Sequence, residues 1–203
     1  MATARRHRRK SNKFKSFLAW IAVLAIFAGG IVFFVTSYYE DTKDELEKLS
    51  YPIEYSEYVE KSADEYDLDE ALIYAVIRTE SSFNTEAQSP VGACGLMQVM
   101  PSSFEWLQSL RGTTGEYTTE DLFDPEICID YGCYLLRYFM DTYEDERCAI
   151  AAYNAGFVVG EWLEDENYSV DGKTLIDTPY PETSEYIKKV ESAKEMYIKL
   201  YYS

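Results

Sequence analysis

The chain has one histidine, His7, and it lies in a basic N-terminal stretch. That removes imidazole catalysis and most transition-metal sites from consideration. Cations are scarce beyond residue 16. Arg5, Arg6, Arg8, Arg9, Lys10, Lys13 and Lys15 hold seven of the 19 Lys and Arg, leaving twelve against 36 Asp and Glu, a formal −24. Such an acidic surface repels phosphates, so no nucleic acid is expected as a partner. Internal repeats and low-complexity tracts are missing, and period-two strand patterns are confined to short stretches. The fold class is therefore mainly α.

Long apolar runs are also missing, with one exception. Phe17 to Val35 gives nineteen residues without a charge. As a helix it is about 28 Å long, close to a bilayer's hydrocarbon thickness. Its basic flank is expected to stay in the cytoplasm, with the remainder outside. The expected divisions are a basic cytoplasmic tail (1–16), a transmembrane anchor (17–36), a juxtamembrane spacer (37–50) and a folded domain (51–203). The alternative is a cleaved signal peptide ending near Val35-Thr36-Ser37, although such apolar regions are usually about 7–15 residues.

Cysteine is limited to Cys94, Cys128, Cys133 and Cys148, an even number that permits disulfides outside the membrane. On one helix Cys128 and Cys133 lie about 140° apart with about 7.5 Å of rise, too splayed for a bridge. Two pairings remain. If the Cys148 helix folds back on the preceding one, Cys133–Cys148 with Cys94–Cys128 is the favoured set. Zinc is the competing reading, but the spacing lacks paired C-x2-C knuckles.

Helix signals recur along the domain. Tyr55, Val59, Ala63 and Tyr66 fall at helical spacing, and Asp67-Leu68-Asp69 offers an N-cap for a helix ending near Glu80. Residues 84–100 read as a long loop, and Pro101 opens the next helix. Asp124-Pro125-Glu126 starts another, and Asp145 to Ala155 a shorter one closed by Gly156. After an irregular 164–182 stretch, a last helix over about 183–201 carries Tyr186, Val190, Ala193, Tyr197 and Leu200 as a core stripe.

Glu80 stands apart. Ile73, Val76, Ile77 and Glu80 share one helix face, and that face should point at the core. A carboxyl group there loses water, which raises its pKa towards the range of a general acid. The last turn of a helix also disfavours negative charge. The ordinary alternative is a helix-end glutamate turned to solvent.

The residues around Glu80 belong to a longer series. Ala71-Leu-Ile-Tyr-Ala-Val-Ile-Arg-Thr-Glu-Ser-Ser-Phe83 is followed by Gly92-Ala93-x-Gly95-Leu96-Met97-Gln98, then Ala151-Ala152-Tyr153-Asn154-Ala155-Gly156, then Pro181-Glu182-Thr183-x-x-Tyr186. Over about residues 51–201 this series resembles the soluble lytic transglycosylase catalytic domain. The resemblance implies a lysozyme-like helical fold with a deep glycan cleft, and peptidoglycan glycan strands as substrate. It implies Glu80 as the single catalytic residue. Ser81, Ser89, Gln98, Met100, Tyr153, Asn154 and Glu182 match positions that line or support the cleft. Cys128 is a departure, since the family usually has Asn there.

Ordinary glycoside hydrolysis uses two carboxylates flanking the bond. No Asp lies between Glu80 and Glu120, and Glu86, Glu105 and Glu116 fall outside the matched motifs. The family's reaction needs one. Its acid protonates the glycosidic oxygen, then as carboxylate deprotonates the C6 hydroxyl of N-acetylmuramic acid, which closes a 1,6-anhydro ring. No cofactor or metal is implied. Tyr153 is expected to stack on a sugar or to hydrogen-bond Glu80. Three alternatives stay open: a hydrolytic muramidase, a non-catalytic glycan-binding domain, and a structural part of an envelope machine. The expected location is a bacterial cell membrane, single-pass, with the catalytic domain extracellular.

Overall fold

The computed structural model describes residues 3–202, with side chains from Lys15 onward except at positions 22, 40, 41 and 44. The side chains of the basic tail before Lys15, and His7 with them, lie outside the described residues. The chain divides into two units between Ser50 and Tyr51. The first is a single helix, α1 (Thr3–Ser50). Within it, Lys15–Tyr39 is long and apolar enough to cross a membrane, a property shared with signal sequences. The charged 37–50 segment continues the same helix without a break.

The second unit is built from helices α2 (Ser56–Tyr66), α3 (Glu70–Ser81), α4 (Pro101–Arg111), α5 (Pro125–Thr142), α6 (Glu146–Ala155), α7 (Val159–Leu163) and α8 (Pro181–Tyr201), with 3₁₀ turns at Thr119–Phe123 and Gly156–Val158. Among the described residues there is no sheet, only bridges of Gln88 with Cys94 and of Cys94 with Val99. Three aspartates start helices as their sequence positions predict. The Asp69 side chain accepts from the Ala71 N–H, Asp124 from Glu126 and Ile127, and Asp145 from Cys148. Pro125 and Pro181 occupy first turns, where a missing N–H leaves no helix bond unmade.

α3 differs from the expected one-sided stripe. Ala71 through Ile77 are all buried, so the helix is enclosed on every side. It packs against α2 and α8, while α5 packs against α2, α4 and α6. Tight glycine contacts bring the 84–100 loop down onto this frame. A Cβ at Gly132 on α5 would lie 2.4 Å from the Met97 sulfur, and one at Gly95 only 2.0 Å from the Leu122 carbonyl oxygen. Gly95 also has φ +74, a conformation L side chains rarely adopt. Met97 is therefore core, completely buried against α5.

The expected disulfides are absent: all four cysteines are buried free thiols. No expected pair is bonded sulfur to sulfur, although Cys94 and Cys128 adjoin, the Cys128 thiol reaching the Cys94 carbonyl at 3.8 Å. The Cys133 thiol meets Ser62 of α2, whereas the Cys148 thiol donates to the Lys173 carbonyl at 3.2 Å. Cys94 turns to the Gly92 carbonyl, and the Cys128 sulfur accepts from the Met97 N–H at 3.3 Å. Burial holds the Cys128, Cys133 and Cys148 thiols above their usual pKa, so they behave as small apolar side chains.

Candidate active site

Glu80 lies in the last turn of α3, partly exposed at the end of the buried run. Its Oε1 accepts a hydrogen bond from the Tyr186 hydroxyl of α8 at 2.7 Å. Burial raises the carboxyl to about 7, and the Tyr186 bond, which favours the charged form, acts against that rise. No second carboxylate contributes to this shift. Burial and the nearby Glu80 charge push the Tyr153 and Tyr186 phenols well above their usual values, so both stay neutral. The chain then turns sharply. Ser82 and Phe83 take left-handed backbone angles, φ 51 and 66, a strained pair directly after the helix that carries Glu80.

Several of the expected cleft residues act as fasteners of the 84–100 loop. The Ser81 hydroxyl donates to the Leu96 carbonyl at 2.8 Å and lies 3.2 Å from that of Ile77, tying α3 to the loop. Gln98, itself at φ 49, donates from its amide nitrogen to the carbonyls of Ala87 and Gly95. Its donors are thus engaged inside the loop, and the amide oxygen is the side-chain group these bonds leave unused. The Ser89 hydroxyl accepts from the Ala93 N–H at 2.9 Å. Tyr153 donates to the Met97 carbonyl at 2.8 Å, so its proton goes to the loop and not to Glu80. Met100 is half-buried at the start of α4. Asn154 is exposed and accepts from the Thr183 hydroxyl at 2.9 Å, joining α6 to α8, and Glu182 is exposed beside Thr183.

Tyr186 is the partner that pattern reading missed. It sits 106 residues from Glu80 in sequence and reads there as one position of an apolar stripe. The signal was its place in the Pro181-Glu-Thr-x-x-Tyr series, at the stripe's polar end. Thr183 stands in the same series, and its hydroxyl bond to Asn154 was likewise not read from it.

The Transglycosylase SLT domain family model matches residues 57–175. A soluble lytic murein transglycosylase from Escherichia coli (strain K12) is 31% identical over 150 residues, covering 72% of this chain and 23% of that protein. Membrane-bound lytic murein transglycosylase C from Yersinia pestis (strain Pestoides F) is 35% identical over 161 residues, covering 68% of this chain and 45% of the relative. Among solved structures, the 70 kDa soluble lytic transglycosylase of Escherichia coli superposes with a TM-score of 0.67 at 27% identity, covering 75% of this chain and 25% of that one. An inactive glutamate-to-glutamine mutant of a lytic transglycosylase from Pseudomonas aeruginosa gives 0.65 at 28% identity, with the same coverage. The chain thus spans only 23% of the length of the first of these relatives.

Proposed function

Because the chain belongs to the Transglycosylase SLT domain family, we propose that it cleaves the glycan strands of peptidoglycan without water, as a lytic transglycosylase with Glu80 as its catalytic residue. The observation that carries this reading is one carboxyl group, held near neutral pKa by burial, hydrogen-bonded by a neutral phenol and without a carboxylate partner. In its acid form Glu80 protonates the glycosidic oxygen, and the bond to the anomeric carbon breaks. The substrate's N-acetyl group stabilises the resulting oxocarbenium-like centre. Glu80, now a carboxylate bonded by Tyr186, takes the proton of the C6 hydroxyl, whose oxygen closes on the anomeric carbon. One bond is broken and one formed, and the proton returns to Glu80. The substrate supplies its own nucleophile, so a second carboxylate has no task. Gln98 and Asn154 supply polar groups for acetamides and hydroxyls, and Met100 an apolar edge. Ser81, Ser89 and Tyr153 hold the loop that carries Gln98 and Met100.

The same reading assigns α1 to a single-pass anchor, with residues 1–16 cytoplasmic, 17–36 in the bilayer, 37–50 as spacer and 51–203 in the cell envelope. Its support is the 19-residue uncharged run behind seven cations and a relative whose name says membrane-bound. Fractionation tests it: the chain should pellet with membranes through a high-salt wash, and recovery in the soluble fraction would contradict it.

Glu80→Gln in the full chain tests the catalytic assignment. Its release of anhydro-muramyl ends should fall to background while the fold persists. Retained turnover would sink the assignment. The stability check has a definite sign. The folded carboxyl titrates at about 7, above its ordinary 4.5. The folded state therefore holds the extra proton between these values, and stability is lost as pH rises through that window. Glutamine does not titrate, so the variant should melt higher than wild type at pH 8, by roughly 1–3 kcal/mol, and the difference should shrink towards pH 4.

A further inference from the structure

An aromatic cluster lies outside the residues assigned above. Trp106 of α4, Tyr138 of α5 and Phe157, just beyond α6, meet edge to face with centroids 4.8, 5.8 and 5.9 Å apart. Core aromatics are ordinarily covered, yet Phe157 is 54% exposed, and Trp106 and Tyr138 are each partly so. Leu110, one helical turn after Trp106 on the same face of α4, is 48% exposed. The rings stand on three separate elements. The Tyr143 hydroxyl holds the Phe157 carbonyl at 3.4 Å, and Phe139 packs beneath its ring.

We propose that Trp106, Tyr138 and Phe157 form a stacking platform for the glycan strand away from the cleaved bond, an inference that rests on the proposed transglycosylase reading. Two arguments select this occupant. The first is continuity with the site. Phe157 follows Tyr153 and Asn154 by a few residues, within about 14 Å of Tyr153 by chain reach, and α4 begins directly after Met100. The rings therefore stand a few residues from Met100 on one segment and from Asn154 on the other. The second is chemistry. The patch is uncharged on a domain (51–203) with 31 acids against 10 cations, a formal −21, which disfavours anionic lipid and nucleic acid. Rigid aromatic faces suit the C–H faces of pyranose rings and lose little entropy on binding.

The test compares the full chain with Phe157→Ala and Phe157→Leu on glycan strands of graded length. Leucine keeps apolar bulk and removes the flat face, so it separates stacking from simple packing. If the platform binds sugar, kcat/KM falls for both variants, on the order of fivefold on long strands, and the loss shrinks as strands shorten. Rescue by leucine, or a loss independent of length, would overturn the proposal. Binding of N-acetylglucosamine oligomers to the Glu80→Gln chain, with and without Phe157→Leu, keeps the two readings apart. Binding that weakens with Phe157→Leu upholds the platform even if wild type yields no anhydro ends. Equal binding by both overturns it even if the catalytic reading stands, and sedimentation would then show whether the patch pairs two copies of the chain.

Discussion

At the scale of the residue, Glu80 and Tyr186 form one unit. The phenol donates to Oε1 and so favours the carboxylate, while burial favours the acid, and burial wins. In the proposed role of general acid, free Glu80 must carry its proton, so kcat/KM should decline above about pH 7. Tyr186→Phe removes the hydrogen bond that stabilises the charged form. The carboxyl pKa then rises further, and the alkaline limb of the profile should move to higher pH, while kcat falls because the carboxylate formed after the first proton transfer loses its donor. An alkaline limb that stays in place, or moves down, would contradict the pairing. The buried setting of Glu80 was legible in the sequence because Glu80 falls on an apolar face, beside Ile73, Val76 and Ile77. Tyr186 was not, because nothing local marks a residue on α8 as the neighbour of one on α3.

At the scale of the element, the site depends on how the 84–100 loop is clamped. Met97 is seated on Gly132, Ser81 ties α3 to Leu96, and Tyr153 ties α6 to Met97. Gly132→Ala would set a methyl 2.4 Å from the Met97 sulfur and 2.8 Å from its Cβ, so the loop backbone must shift. The expected loss is about 1–3 kcal/mol of stability, with turnover lowered because the loop also carries Gln98. Unchanged melting and kcat would show that the clamp is not needed. The helices were readable from their punctuation, since Asp69, Asp124, Asp145 and the first-turn prolines act locally. The loop's fastening was not, because it joins residues far apart in sequence. The disulfide expectation failed for the same reason: pairing needs thiol directions, and those follow from packing. Cys133 turns to α2 and Cys148 to the 171–175 loop.

At the scale of the whole molecule, a short cationic tail and an uncharged helix precede a strongly acidic helical unit, and the chain spans 23% of its first relative. The family resemblance read from the Glu80, Gly95 and Tyr153 blocks agrees with the family model over 57–175 and with the solved folds. The central claim is that one carboxyl group, acid then base, lets the substrate close on itself. The most direct measurement is mass analysis of the products released from purified peptidoglycan by the full chain. The account predicts 1,6-anhydro-muramyl ends, lighter by one water than hydrolytic products and unlabelled when the reaction runs in oxygen-18 water. Reducing ends carrying the label would contradict it and assign the chain to hydrolysis.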